Sequence, residues 1–201
     1  MSAQPDYRHY TAEEYLALER KAAYKSEFFN GEIFEWGIER DTCDSDGICH
    51  DSILLNLINL IQNRLPHTFI PFYGSDMRLH IPENSLYTYP DLTVVCGKAE
   101  FLENANPDTL LNPVLIVEVL SGSTEKYDRG GKFRLYRSIP SLREYVLVSS
   151  EEPFGVESYY KTDGGVWQLT DSQDVENGLV HLPSVGFDLP LREVYARVAG
   201  N

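Results

Sequence analysis

Glu118 stands inside Leu115-Ile116-Val117-Glu118-Val119-Leu120, a run that is apolar on both alternations and therefore reads as a strand covered on both faces. A carboxylate buried there loses its hydration at a cost of several kcal/mol unless it binds a cation or is neutralised. A second acid, Asp91, is led by a proline into an apolar run, Tyr89-Pro90-Asp91-Leu92-Thr93-Val94-Val95, 27 residues earlier. That separation allows a loop and a return on a neighbouring strand. Two hard oxygen ligands on adjacent strands, with a backbone carbonyl nearby, suit Mg²⁺, which leaves places for waters and a phosphate. Each acid alone reads equally well as a paired core carboxylate, whereas the two together favour the metal.

The elements that must position this pair follow from periodicity. Thr11-Ala12-Glu13-Glu14 is a capping box that opens an amphipathic helix ending near Ala23. Asn30-Gly31, between Glu27-Phe28-Phe29 and Ile33-Phe34-Glu35-Trp36, predicts a hairpin with a type I′ turn. Residues 37–49 read as a loop. From His50 to Leu65 the residues Ile53, Leu54, Leu57, Ile58, Ile61 and Leu65 give one buried helical stripe. Strands are predicted at 69–73, 77–81, 92–96, 115–120, 145–148, 156–160 and 166–169, the last two turned by Asp163-Gly164-Gly165. Residues 124–138 read as a helix stopped by Pro140, and the tail from Asn177 as one short strand and a helical turn. The order is mixed α/β around a central sheet, with additional antiparallel hairpins.

The 201 residues fit one domain, with a core at about residues 11–160 and a C-terminal extension over 171–201. A composition 42% hydrophobic and 24% charged, with 14 Gly and 11 Pro, excludes disorder and collagen. Cys43, Cys49 and Cys96 form an odd set without a Cys-x-x-Cys spacing, which argues against a disulfide framework or structural zinc. The opening residues Met1 to Asp6 lack a basic or apolar stretch, and no window nears 18 apolar residues, so a cytoplasmic location is expected. Thr42 to Gly47 lacks the acidic ends of a calcium loop, and Gly131-Lys132 lacks the first glycine and the Ser/Thr of a P-loop.

Pro90-Asp91 followed by Glu118-Val119-Leu120 resembles the PD-(D/E)xK nuclease motif. Its surroundings resemble the Uma-type restriction endonuclease family, a large bacterial family once classed as a domain of unknown function. The resemblance spans about residues 11–160. It rests on Glu27 to Ile33, His50 opening a helix, Gly74 to Arg78, Tyr89-Pro90-Asp91, Val117 to Ser121, Ser123-Thr124, Asp128 to Lys132 and Ile139 to Tyr145, in that order. It implies a restriction-endonuclease-like α/β fold with Mg²⁺, or Mn²⁺ in its place, held by Asp91, Glu118 and the Val119 carbonyl, and with Glu27 ligating directly or through water. The superfamily's motif lysine falls at Leu120; in this family a lysine on the following helix is thought to reach the site, and Lys132 matches it. Asp128, Lys132 and Tyr136 form one helical stripe, which reads equally as an exposed ion pair. His50, Asp76 and Tyr136 are candidates for supporting the ligands, and a lone histidine at a helix start is as often structural.

A nuclease must approach a polyanion, and the formal charge of −14 opposes this at long range. Between Glu125 and Arg143, however, six bases face two acids, which makes Lys126, Arg129, Arg134 and Arg137 the DNA-facing candidates. Binding is expected to be weak and salt-sensitive. Three functions remain: a Mg²⁺-dependent endonuclease acting on DNA, a metal-dependent hydrolase of another phosphate ester, and a non-catalytic binding or assembly protein. A homodimer would suit cutting both strands.

Overall fold

The computed structural model describes residues 8–35, 45–73, 76–103, 105–122 and 125–198. Its centre is a six-stranded mixed sheet with strand order β11-β10-β9-β8-β6-β3. These are β3 (Phe69–Tyr73), β6 (Leu92–Cys96), β8 (Leu115–Leu120), β9 (Glu144–Ser149), β10 (Val156–Lys161) and β11 (Trp167–Ser172). β8 runs parallel to β9 and antiparallel to β6. Both strands beside it are themselves central, which explains why β8 is buried at all six positions.

The remaining strands form two smaller sheets. β1 (Ser26–Phe29), β2 (Glu32–Glu35), β4 (Arg78–Ile81), β5 (Leu86–Thr88) and β7 (Thr109–Leu110) assemble in the order β2-β1-β5-β4-β7. The β1–β2 turn holds Asn30 at φ 51° and Gly31 at φ 87°, the pair of positive angles that a type I′ turn requires. β12 (Leu179–Leu182) and β13 (Phe187–Pro190) pair as a C-terminal hairpin.

Alternation along β8 divides the core. Leu115, Val117 and Val119 join Ile53, Leu57 and Ile61 of α2 (Ser45–Arg64) in one cluster. The tail enters the same cluster through Val180, Leu182, Leu189, Leu191 and Val194, the last two from α4 (Leu191–Val194). Ile116 and Leu120 point to the opposite face, where Leu79, Ile81 and Leu86 of the second sheet meet Tyr136, Ile139, Leu142 and Tyr145. Glu118 shares that second face, between the two sheets.

Four boundaries depart from the sequence reading. α1 (Ala12–Glu19) carries the expected capping box yet stops before Ala23, with Arg20 as its C-cap. α2 begins at Ser45, inside the expected loop, of which residues 36–44 lie outside the described residues. The tail holds a hairpin in place of one strand. The helix expected over 124–138 is a π-helical turn at Tyr127–Lys132 followed by α3 (Phe133–Tyr136). The wider turn tucks both Asp128 and Lys132 inward, at 3% and 0% exposure.

Glu144 is a buried acid away from the candidate site. It accepts from the Ser158 hydroxyl at 2.5 Å and from the Ser184 amide at 3.0 Å and hydroxyl at 2.5 Å, tying β9 and β10 to the C-terminal hairpin. Desolvation raises its pKa against these hydrogen bonds. A raised carboxyl pKa gives stability that is fully present below the unfolded value and lost as pH rises through the folded one. Glu144→Gln should therefore gain in melting temperature relative to wild type between pH 4 and pH 7; a constant difference across that window would show that Glu144 does not titrate there.

Candidate active site

The end of the β6–β8 ladder builds the site. Pairing runs Leu92↔Val117, Thr93↔Ile116 and Val94↔Leu115, so Asp91 and Glu118 come next at the open end. There each acid accepts a hydrogen bond from the other's strand: the Asp91 amide donates to Glu118 Oε2 at 3.3 Å, and the Val119 amide to Asp91 Oδ2 at 2.8 Å. The N–H and C=O of one strand residue face the same neighbour, so the Val119 carbonyl points to the Asp91 side as well.

Lys132 descends on this pair from the covering helix. Its Nζ lies 2.9 Å from Glu118 Oε1, 3.4 Å from Asp128 Oδ1 and 3.6 Å from Glu27 Oε1. Leu120, two residues after Glu118 on the same strand face, is packed in the core. The ammonium beside Glu118 thus comes from another element of the chain. Tyr136, one turn on, donates its hydroxyl to Glu118 Oε1 at 2.9 Å.

Glu27 sits on β1 of the other sheet and is 5% exposed. It accepts a short hydrogen bond from Thr88 on β5 and one at 3.3 Å from the Tyr127 hydroxyl. Its carboxylate is thereby committed to Thr88, Tyr127 and Lys132. His50 closes the opposite side, with Nε2 at 3.4 Å from Asp91 Oδ2 and Nδ1 at 3.3 Å from Asp51 Oδ1. The His50 and Asp91 side chains retain 14% and 16% exposure, whereas that of Lys132 retains 1%, so the mouth lies at Asp91 and His50.

The electrostatics follow from an excess of buried acid. Glu27, Asp91, Glu118 and Asp128 surround one lysine. Burial first, then the neighbouring Asp128 and Asp91 charges, push Glu118 up to about 8 despite Lys132. Asp91 moves the other way: its desolvation is outweighed by His50, the Val119 amide and Lys132, which hold it below the usual carboxylate range. Lys132 is desolvated too, yet Glu118, Glu27 and Asp128 hold its pKa well above that of a free lysine. Excess negative charge in this cavity raises both partners of the Glu118–Lys132 pair, adding to burial at Glu118 and overcoming it at Lys132.

Of the residues singled out from sequence, the structure brings together Asp91, Glu118, Lys132, Glu27, His50 and Tyr136. Asp76 stands apart; it pairs with Lys25 at 2.7 Å and its side chain is 93% exposed. Arg129, one of the expected DNA-facing residues, pairs with Glu125 at 2.7 Å and makes a short contact to Glu157. Lys126, Arg134 and Arg137 remain exposed, the two arginines on the side of the helix away from Lys132 and Tyr136. Two members of the site lay outside the sequence reading and a third was read there only as part of a helical stripe. Asp128 was visible as the i, i+4 partner of Lys132, while nothing local distinguishes Thr88 or Tyr127.

Among the described residues, no three His, Cys, Asp or Glu side chains form a cage for a metal ion. No helix among them is long and apolar enough to cross a membrane.

Comparisons with known proteins match this architecture. A family model, Uma2, described as "Putative restriction endonuclease", matches residues 12–192. The uncharacterized protein slr1290 of Synechocystis sp. is 34% identical over 187 residues, which cover 93% of this chain and 92% of that one. A second Synechocystis protein, sll1609, is 37% identical over 161 residues, covering 80% and 86%. A crystal structure of an Anabaena variabilis protein, described as a putative nuclease belonging to DUF820, superposes with a TM-score of 0.65 over 92% of this chain and 97% of its own. At 15% identity that likeness is one of fold. The match over most of the chain, together with two relatives above 30% identity, makes this protein a member of the Uma2 family of restriction-endonuclease-like proteins.

Proposed function

We propose that this protein is a divalent-metal-dependent nuclease that hydrolyses DNA phosphodiester bonds at the Asp91–Glu118 pair. The observation that carries this reading is the reciprocal Asp91–Glu118 arrangement at the open strand end, with a buried ammonium 2.9 Å behind it. The donor set fits a hard cation: two carboxylates and a main-chain carbonyl, in a cavity with more negative than positive charge. Asp91, Glu118 and the Val119 carbonyl would hold Mg²⁺ or Mn²⁺, with waters completing its shell. Glu27 serves Lys132 rather than the metal. When bound, the ion supplies positive charge to the nonbridging and leaving oxygens of the phosphodiester.

The chain's own residues do the rest. Asp91 stays ionised and faces the mouth. His50 fixes the Asp91 carboxylate by holding Oδ2, and its link to the exposed Asp51 orients the ring. Lys132 remains an ammonium at neutral pH, so it donates hydrogen bonds and stabilises charge; it does not act as a base. Tyr136 holds Glu118 Oε1, leaving that carboxylate fixed against the strand.

The test is nicking and linearisation of supercoiled plasmid at low salt, with Mg²⁺, Mn²⁺ or EDTA, alongside thermal melting in the same buffers. Metal-dependent cutting that disappears in Asp91→Ala supports the reading, as does a melting temperature that rises with Mg²⁺ in wild type and not in that variant. Cutting that survives in EDTA or in Asp91→Ala would sink it. A metal-dependent stabilisation without cutting of any DNA would favour another phosphate ester as substrate. The proposed location is cytoplasmic and the proposed assembly a homodimer, which sedimentation would test directly.

A further inference from the structure

The nuclease reading asks Lys132 to act on a substrate phosphate, yet no part of a substrate can touch a side chain with 1% exposure. Something must move. Of the described side chains that contact Lys132, Glu27, Glu118, Asp128 and Tyr136 are all buried, and only Tyr127 is substantially exposed, at 41%. The Tyr127 ring lies 5.9 Å from Lys132 Nζ, and its hydroxyl reaches Glu27 Oε2 at 3.3 Å. It occupies a slot kept open by Gly131, where a Cβ would meet ring carbons at 3.0 and 3.2 Å. The ring is carried on the π-helical turn, which departs from regular α-helical hydrogen bonding, and Gly130 in that turn has open space around it.

We propose that Tyr127 is a gating residue: closed, its ring shields Lys132 and its hydroxyl holds Glu27; swung out, it opens the ammonium to the scissile phosphate. This rests on the nuclease reading for its purpose and not for its existence. Among the described residues, Glu27 and Glu118 are fixed on strands, Tyr136 is packed in the core between the sheets, and Asp128, on the same turn as Tyr127, is itself buried at 3%. The closed state also keeps Lys132 among Glu27, Glu118 and Asp128, so an empty site holds its one cation among its acids until substrate arrives.

The test follows solvent exchange of the Lys132 ammonium through its ¹H–¹⁵N signal in ¹⁵N-labelled protein, without metal or DNA. Lys132 is the one fully buried lysine among the described residues, so its signal is the slowly exchanging one. Exchange should be at least tenfold faster in Tyr127→Ala and rise less in Tyr127→Phe, which keeps the ring and loses only the bond to Glu27. Backbone amides of β8 are read in the same samples. An increase at Lys132 that β8 does not share supports a local gate; an equal increase in both, or none at Lys132, overturns it. Because exchange needs no catalysis, a chain that cuts nothing would defeat the proposed function and leave this result intact. In a chain that does cut, Tyr127→Phe should raise kcat at unchanged KM; faster exchange with unaltered kcat would overturn the gating of catalysis.

Discussion

Glu118→Gln is expected to lower metal-dependent DNA cleavage by about three decades while leaving the protein folded. On the proposed function, the activity loss reflects one of two carboxylate ligands made neutral; metal stabilisation of transition-state charge is worth several kcal/mol, at about 1.4 kcal/mol per decade of rate. The stability argument has the opposite sign. Without metal, Glu118 is pushed up to about 8 by burial and by its acidic neighbours, so the wild-type side chain is already close to neutral at physiological pH. An amide of the same shape keeps one oxygen to accept from the Tyr136 hydroxyl and gives up only the longer 3.3 Å bond from the Asp91 amide, while Lys132 keeps Glu27 and Asp128. Comparing initial nicking rates with urea midpoints separates the two effects. Equal losses in both would mean that Glu118 is a folding residue; full activity in Glu118→Gln would remove it from the metal site.

Lys132→Met should have the largest effect on stability, a loss of about 3–5 kcal/mol at pH 7, because it leaves buried carboxylates without their cation. Against a total of about 5–15 kcal/mol for a domain, that lowers the melting temperature by about 6–20 °C. The pH dependence has a definite sign. The lysine pKa is raised by folding, so its contribution is fully present below the ordinary lysine value and is lost only as pH climbs through the folded one. In the variant the strain is relieved by protonating acids, so the gap to wild type should narrow from pH 8 towards pH 5. The double variant Lys132→Met/Glu118→Gln should lose about as much as Lys132→Met alone at pH 7, where Glu118 is already close to neutral, and should recover part of the loss only above about pH 8. A loss below about 1 kcal/mol would place Lys132 among ordinary surface ion pairs and contradict its burial.

Much of this arrangement was local enough to be legible in the chain. An acid in the apolar run Leu115–Leu120 and another behind Pro90 identify themselves by breaking a pattern, because burial makes a charge costly wherever the strand lies. The capping box, the Asn30-Gly31 turn and the stripe from Ile53 to Leu65 are set by short-range geometry, which is why they appear where periodicity puts them. Residues 179–194 gave little sign of their place in the main core, since a short hairpin buries few side chains per strand and it is held there by β12 against β10 and β11 and by α4 against α2, the latter more than 120 residues away in sequence.

What the sequence by itself determined is therefore a buried acidic pair and the strands that carry it, with Lys132 offered in place of the motif lysine missing at Leu120 only through a family resemblance. Tertiary structure decided the company they keep. It drew Glu27 and Thr88 from a second sheet to the lysine, sent Asp76 to Lys25 and Arg129 to Glu125 and Glu157, and wound Tyr127–Lys132 into a wider turn that buries the ammonium under a tyrosine. The physical reason is range. Burial and turn propensity act within a few residues, whereas the balance of charge in a closed cavity depends on every group that folding brings within a few ångströms.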